Sequence, residues 1–168
     1  NTLAYALNAK VFSIDTWEYF KEVVPKKLQK NNAKILRAGG KYVAPQVLEN
    51  KMKESPFIEQ IMVVGDDQKK FISALIVPSF LQIEAWAKQQ GMNFSSNIAM
   101  IQDEKINQLI QLEIKKYNSF FGNWEQVKKI TLLPEEWTVE SGELTPTMKP
   151  KRKIINERYQ KIIDSMYL

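Results

Sequence analysis

The sequence predicts an α+β domain with a small, mostly antiparallel sheet, of about three strands plus a short hairpin, packed with helices. Two apolar runs, 58–64 and 71–77, flank a Gly-Asp-Asp-Gln turn at 65–68, which is typical of a β-hairpin. Residues 103–117 place apolar side chains at helical spacing, which predicts an amphipathic helix. Strands joined by hairpins rather than by crossovers favour the α+β class.

The N-terminal part of the chain differs from the rest. Residues 1–32 contain a short amphipathic helical pattern, interrupted by Pro25 and followed by a lysine-rich run that we interpret as a linker. We therefore leave 1–32 unassigned and expect one domain from 33 to 168. Residues 34–45 then predict two short extended pieces around a glycine turn.

The remaining elements follow from turn and capping residues. Pro45 opens a helix that ends at Ser55-Pro56, and Pro78 ends the second strand of the hairpin. The later segments are predicted in this order: a helix at 80–90 capped by Gly91, a weak helix at 95–100, the amphipathic helix at 103–117, a third strand at 127–133, a short fourth strand at 137–139, and a last helix from about 150 to 166.

Composition excludes several kinds of chemistry. The 168 residues are 44% hydrophobic, which is enough for a core, but they include no cysteine and no histidine. Thiolate zinc sites, histidine metal sites and Ser-His-Asp hydrolysis are therefore excluded, and we expect no metal site. The formal net charge of +5 favours anionic partners. The sequence has no apolar run of membrane-spanning length and no secretory signal pattern, so a cytoplasmic location is expected.

Lys149 is the first candidate functional residue. It lies between Pro146 and Pro150, and a proline restricts the residue before it to extended conformations. Lys149 should therefore project from the chain just before the last helix. Lys151, Arg152 and Lys153 follow at that helix start, where cations are unfavourable unless an anion is near. A basic, solvated helix start is the alternative that these residues leave open.

Gly39-Gly40-Lys41 is the second candidate. Paired glycines permit a sharp turn and close ligand approach, and Lys41 could meet a phosphate. The pattern is weak alone, and the chain contains no phosphate-loop or dinucleotide fingerprint. The Asp66-Asp67 pair is interpreted as a turn with local hydrogen bonds rather than a metal or acid–base pair.

Four segments belong together as a set: 38–46 (AGGKYVAPQ) with Glu49, 61–66 (IMVVGD), 71–78 (FISALIVP), and 132–138 (LLPEEWT) continuing into 141–149 (SGELTPTMK). In this order they resemble the C-terminal domain of long-chain fatty-acid–CoA ligases of the AMP-forming class. The likeness covers roughly four-fifths of the chain. It departs from the family at 29–33, where the usual acidic hinge is missing, and at Pro150, where leucine is common.

The resemblance implies a small lid domain that moves against a large N-terminal adenylation domain. In the family, a lysine matching Lys149 stabilises acyl-adenylate formation from ATP, and a glycine loop matching Gly39-Gly40-Lys41 then faces CoA. Arg152 is a further cofactor-side candidate. The resemblance implies ATP, Mg²⁺ and CoA as cofactors of a complete enzyme, a fatty acid substrate, and an isolated chain that is inactive and binds none of these tightly. Peripheral membrane association and dimerisation are compatible with it.

Two alternatives come from other functional classes. A small basic module that binds nucleic acid or another anion would explain the charge and the 149–153 cluster, and would bind in a salt-dependent way. It does not explain the Thr-Pro-Thr frame of Lys149, and we expect no nucleic-acid partner. A structural or interaction domain would use 1–32 as its partner-facing element.

Overall fold

The computed structural model describes residues 36–38, 41–66 and 69–168. These residues belong to one compact unit, Leu36–Leu168. The strands are β1 (Leu36–Ala38), β2 (Lys41–Val43), β3 (Ile58–Val64), β4 (Ile72–Pro78) and β5 (Val127–Leu132). The helices are α1 (Pro45–Met52), α2 (Phe80–Gln89), α3 (Asn97–Gln102), α4 (Glu104–Asn118), α5 (Arg152–Arg158) and α6 (Gln160–Ser165). The helical pattern predicted within 1–32 lies outside the described residues.

Two sheets organise the described residues, as the α+β prediction requires. β1 and β2 pair antiparallel, with Leu36 opposite Val43, and form the predicted short hairpin. The main sheet has the order β3-β4-β5, and β3 pairs antiparallel with β4. β5, however, pairs parallel with β4, with Ile76 opposite Leu132.

The parallel pair corrects the expectation that hairpins join all the strands. Parallel neighbours need a crossover of a dozen or more residues, and here α2, α3 and α4 lie between β4 and β5. Every residue of β4 is buried, so this strand has to be central, with a partner on each side and layers on both faces. The sheet is therefore mixed.

The two faces of the main sheet carry separate clusters of buried side chains. In β3, Ile61 and Val63 face one cluster while Met62 and Val64 face the other, as the two-residue period of a strand dictates. The first cluster packs against α1, α2 and α4, through Leu48, Met52, Ile83, Ile106, Ile110 and Ile114. The second cluster, which we call the C-terminal cluster, adds Leu133, Trp137, Leu144, Ile155, Ile163 and Met166. The core thus has three layers with the sheet in the middle.

Local signals account for several helix ends. Pro45 occupies the first turn of α1, and the Asp103 carboxylate caps α4 by accepting from the backbone N–H groups of Lys105 and Ile106 at 2.9 and 3.1 Å. Gly91 follows α2 with φ at +71°, the left-handed conformation that glycine adopts without strain. The predicted start at Pro45 and the predicted cap at Gly91 are confirmed, whereas the capping role of Asp103 was not predicted.

Two predictions for the C-terminal part are wrong. Residues 137–139 form no strand, because the Gln60 amide satisfies the Trp137 backbone instead: Trp137 N–H donates to Gln60 Oε1 at 2.7 Å, and Gln60 Nε2 donates to Trp137 O at 2.9 Å. The last helix begins at Arg152 rather than Pro150 and is divided at Tyr159, whose φ and ψ are −105° and 17°. Apolar spacing continues across this break, so periodicity does not reveal it.

No helix among the described ranges is long and apolar enough to cross a membrane.

Candidate functional site: the lysine loop

Lys149 lies in a short closed loop, residues 145–149, which we call the lysine loop. Leu144 and Pro150 form an antiparallel bridge at its base, and Thr145 N–H donates to Lys149 O at 2.9 Å. Within the loop, Met148 N–H donates to Thr145 O at 2.8 Å, and Lys149 N–H donates to Thr145 Oγ1 at 3.0 Å. Each end of the loop is therefore bonded to the other, which fixes the path of the backbone that carries Lys149.

Met148 gives the loop its sharp turn. Its φ is +58°, the one non-glycine residue with positive φ in the described part of the chain. Met148 N–H closes a turn onto Thr145 O, and Met148 is itself the left-handed residue. This arrangement is a common three-residue hairpin loop, in which glycine normally takes the left-handed position. A methionine there costs about 1 kcal/mol. The methionine side chain is 64% exposed, so burial does not offset this cost.

Lys149 itself is exposed, which agrees with the prediction that it projects from the chain. Its ammonium forms no ion pair with a carboxylate of residues 41–66 or 69–168. A flexible side chain on a fixed backbone, with its charge unpaired, is suited to meeting an anionic group that arrives from outside the domain.

Immediately before the loop, Glu143 is buried, with 1% of its surface exposed. Its carboxylate accepts hydrogen bonds from the Ser141 hydroxyl and from Arg158 of α5, and we call these three residues the Glu143 cluster. Burial by itself raises the pKa of Glu143, but the bonds from Ser141 and from backbone N–H groups and the charge of Arg158 together lower that pKa below its usual value. Glu143 is therefore held as a carboxylate at neutral pH.

Immediately after the loop, Arg152 is tied to the far side of the sheet. Its guanidinium donates to Glu49 of α1 and to Val63 O at 2.9 Å, and Val63 N–H donates to Glu49 Oε1 at 2.8 Å. Burial raises the pKa of Glu49 despite the opposing charge of Arg152. Arg152 was predicted as a cofactor-side residue; its observed partners are a carboxylate and a carbonyl of its own domain.

The hairpin of β1 and β2, residues 36–43, which we call the glycine hairpin, is only partly described. Gly39 and Gly40 lie outside the described residues, and so does the side chain of Lys41. The backbone of Lys41 begins β2 and pairs with Ala38. The predicted hairpin is confirmed, while the ligand role of Gly39, Gly40 and Lys41 stays a prediction.

Of the Asp66-Asp67 pair, the structure describes Asp66. Asp66 accepts from Lys69 N–H through both its backbone carbonyl and its carboxylate, each at 3.1 Å, as a turn aspartate does. Asp67 lies outside the described residues. Elsewhere in the described ranges, no group of three or more histidine, cysteine or carboxylate residues could hold a metal ion.

Sequence reasoning missed the residues that fasten the loop. Glu143 and Arg158 are fifteen positions apart, and no local pattern links a carboxylate before a loop to an arginine on the next helix. Glu49 was noticed only as part of a likeness. A charged residue on the buried face of a short helix is the one signal that could have identified Glu49, because such a residue needs a partner.

A family model described as "AMP-binding enzyme C-terminal domain" matches residues 32–168. The long-chain-fatty-acid–CoA ligase FadD15 of Mycobacterium tuberculosis is 37% identical over 134 residues, which is 79% of this chain and 22% of that protein. Human long-chain-fatty-acid–CoA ligase 1 is 32% identical over 132 residues, or 77% of this chain and 19% of that protein.

Solved structures agree on the fold. The adenylation domain of a carboxylate reductase from Mycobacterium chelonae matches with a TM-score of 0.67 and 23% identity, over 80% of this chain and 19% of that one. A carboxylic acid reductase didomain from Segniliparus rugosus, solved with AMP, matches with a TM-score of 0.64 and 21% identity, over 80% of this chain and 17% of that one. The chain thus spans about a fifth of the length of the curated relatives that it matches.

Proposed function

Because the chain belongs to the AMP-binding enzyme C-terminal domain family, we propose that it is the lid domain of a long-chain fatty-acid–CoA ligase. The lid would comprise residues 33–168 and would close on a separate N-terminal adenylation domain. The complete enzyme would join a fatty acid to CoA and convert ATP to AMP and diphosphate. The curated relatives support this substrate class, since they are long-chain fatty-acid–CoA ligases.

The observation that carries the proposal is the presentation of Lys149. Its backbone is fixed by bonds within the lysine loop, its side chain is exposed, and no carboxylate of the described residues neutralises it. In the first half-reaction, the fatty acid carboxylate would attack the ATP α-phosphate, diphosphate would leave, and negative charge would grow on the phosphate oxygens. An ammonium placed there stabilises that transition state more than the ground state.

The glycine hairpin would serve the second half-reaction. The CoA thiol attacks the carbonyl carbon of the acyl-adenylate, and AMP leaves as the thioester forms. Gly39, Gly40 and Lys41 would face CoA after the lid rotates and withdraws Lys149. In this order of events, the lysine loop would act in adenylate formation and the glycine hairpin in thioester formation.

The cofactors belong to the complete enzyme. ATP, Mg²⁺ and CoA would bind mainly to the adenylation domain, and the isolated lid would bind none of them tightly. The enzyme would act in the cytoplasm, with peripheral membrane contact or dimerisation as further properties to measure.

The test separates the two half-reactions in the full-length protein that carries this chain. Lys149→Ala should slow acyl-adenylate formation from palmitate and ATP by about 100-fold, the size of effect seen when one preorganised donor is removed. Thioester formation from supplied palmitoyl-adenylate and CoA should stay near the wild-type rate. The 168-residue chain alone should form no palmitoyl-CoA.

Lys153→Ala is the matched control. Lys153 is also a lysine near the loop, but its side chain is 89% exposed and faces Glu157 at 4.0 Å. Both half-reactions should survive its loss. Equal loss of both half-reactions in Lys149→Ala, or palmitoyl-CoA formation by the isolated chain, would contradict the proposal.

A further inference from the structure

We propose that Glu143 is a positioning residue for Lys149: its buried carboxylate, held by Arg158 and Ser141, fixes the base of the lysine loop and thereby the place of the ammonium during adenylate formation. This inference rests on the function proposed above for Lys149. Glu143 itself would touch no substrate, because 1% of its surface is exposed.

The backbone of Glu143 is part of the base of the loop. Glu143 O accepts from Lys151 N–H at 2.7 Å, directly below the bridge between Leu144 and Pro150. Leu144 N–H in turn donates to Thr138 O at 3.0 Å. A shift of Glu143 therefore moves the two chain segments that meet at the base of the loop, and it moves Lys149 with them.

The side chain of Glu143 ties that base to two other elements. Ser141 donates to it from a turn that Ser141 also closes, through bonds with Thr138 N–H at 3.2 Å and with the Thr138 hydroxyl at 2.8 Å. Arg158 donates to it from α5, about two turns beyond the helix start. The carboxylate is thus the point where the turn, the loop base and the following helix meet.

Stability alone is a weak reason for this arrangement. A buried ion pair often contributes no more to folding than apolar side chains of similar size, because the desolvation of the charges offsets their attraction. The neighbours Leu144 and Ile155 belong to the C-terminal cluster, which already holds this region together by burial. What a carboxylate with two directional partners adds is a fixed geometry, and a displacement of 1 Å can slow a reaction by about 100-fold.

The experiment measures both half-reactions in full-length Glu143→Ala and Glu143→Gln. Adenylate formation should fall at least tenfold in Glu143→Ala and less in Glu143→Gln, which keeps a hydrogen-bonding oxygen. The effect should lie in kcat, with KM for ATP and palmitate nearly unchanged, and the thioester half-reaction should be spared. Ile83→Val controls for general loss of stability, since it trims the core on the opposite face of the sheet, and it should leave both half-reactions unchanged.

A second measurement follows the loop directly in the 168-residue chain. Amide hydrogen exchange at Lys149 and Thr145 should accelerate at least tenfold more in Glu143→Ala than exchange at Ile76 in the central strand, which reports global unfolding. Wild-type adenylate formation in a folded Glu143→Ala protein would overturn the positioning role while Lys149→Ala remains defective. If Lys149→Ala itself spares adenylate formation, the proposed function fails instead.

Discussion

Replacing Arg152 by methionine tests how the loop is fastened on its far side. The substitution keeps an unbranched apolar side chain but leaves Glu49, whose side chain is 9% exposed, without its cationic partner. Removing one member of a buried ion pair costs about 3–5 kcal/mol. Glu49 keeps the hydrogen bond from Val63 N–H, and Arg152 is already 22% exposed, so we expect about 2–3 kcal/mol here. For a chain of this size, that corresponds to a melting temperature lower by about 4–12 °C.

The stability lost in Arg152→Met should depend on pH. Burial raises the pKa of Glu49 in the folded protein, and losing Arg152 raises that pKa further. The folded variant therefore gains protons relative to the unfolded chain as the pH falls, and its deficit in unfolding free energy should shrink between pH 8 and pH 5. Urea unfolding of both proteins, followed by circular dichroism, measures the deficit at each pH.

A second variant separates two effects of Arg152→Met, the unpaired charge of Glu49 and the loss of packing by the Arg152 side chain. In Glu49→Gln with Arg152→Met, no carboxylate remains buried at position 49, and the double variant should recover a large part of the stability that Arg152→Met loses. Wild-type stability of Arg152→Met at pH 8 would refute the reasoning, and so would a deficit that stays constant down to pH 5.

Two further predictions concern backbone geometry. Met148→Gly should raise the free energy of unfolding by up to about 1 kcal/mol, because glycine takes a positive φ without strain, whereas Thr147→Gly in the same loop should lower it; thermal unfolding of both variants tests this difference. Asn118→Ala should destabilise the chain by about 1–3 kcal/mol, since the Asn118 amide bonds both Val127 N–H at 3.0 Å and Val127 O at 2.8 Å at the start of β5; an unchanged urea midpoint would show that water replaces these bonds.

Local sequence signals predicted most of the helices and strands, but they did not predict how distant strands pair. Pro45, Asp103 and Gly91 each act within one turn of the helix end that they define, so a single sequence is enough to find these ends. The parallel pairing of β5 with β4 depends instead on long-range packing. The apolar run of β4 shows that this strand is buried, but it does not show which elements lie beside it.

In the candidate site, too, local features were predicted from the sequence and long-range contacts were not. Pro146 and Pro150 led to the prediction that Lys149 projects from the chain, and the side chain is exposed. The left-handed turn was not predicted, because methionine carries no turn preference and glycine is the residue that normally marks it. Glu143 and Glu49 were not predicted as anchors either, since their partners lie on elements whose packing only the fold determines.

The two anchors explain why an exposed loop can hold a defined geometry. The lysine loop buries little, and its own hydrogen bonds link only residues 145–149 to one another. Its position relative to the domain must therefore come from what precedes and follows it. Before the loop, the Glu143 side chain is bonded to Arg158 of α5. After the loop, Arg152 at the start of α5 is bonded to Glu49 of α1 and to Val63 of β3. Loss of one anchor leaves the other, so single variants should loosen the loop, and loss of both should release it together with the start of α5.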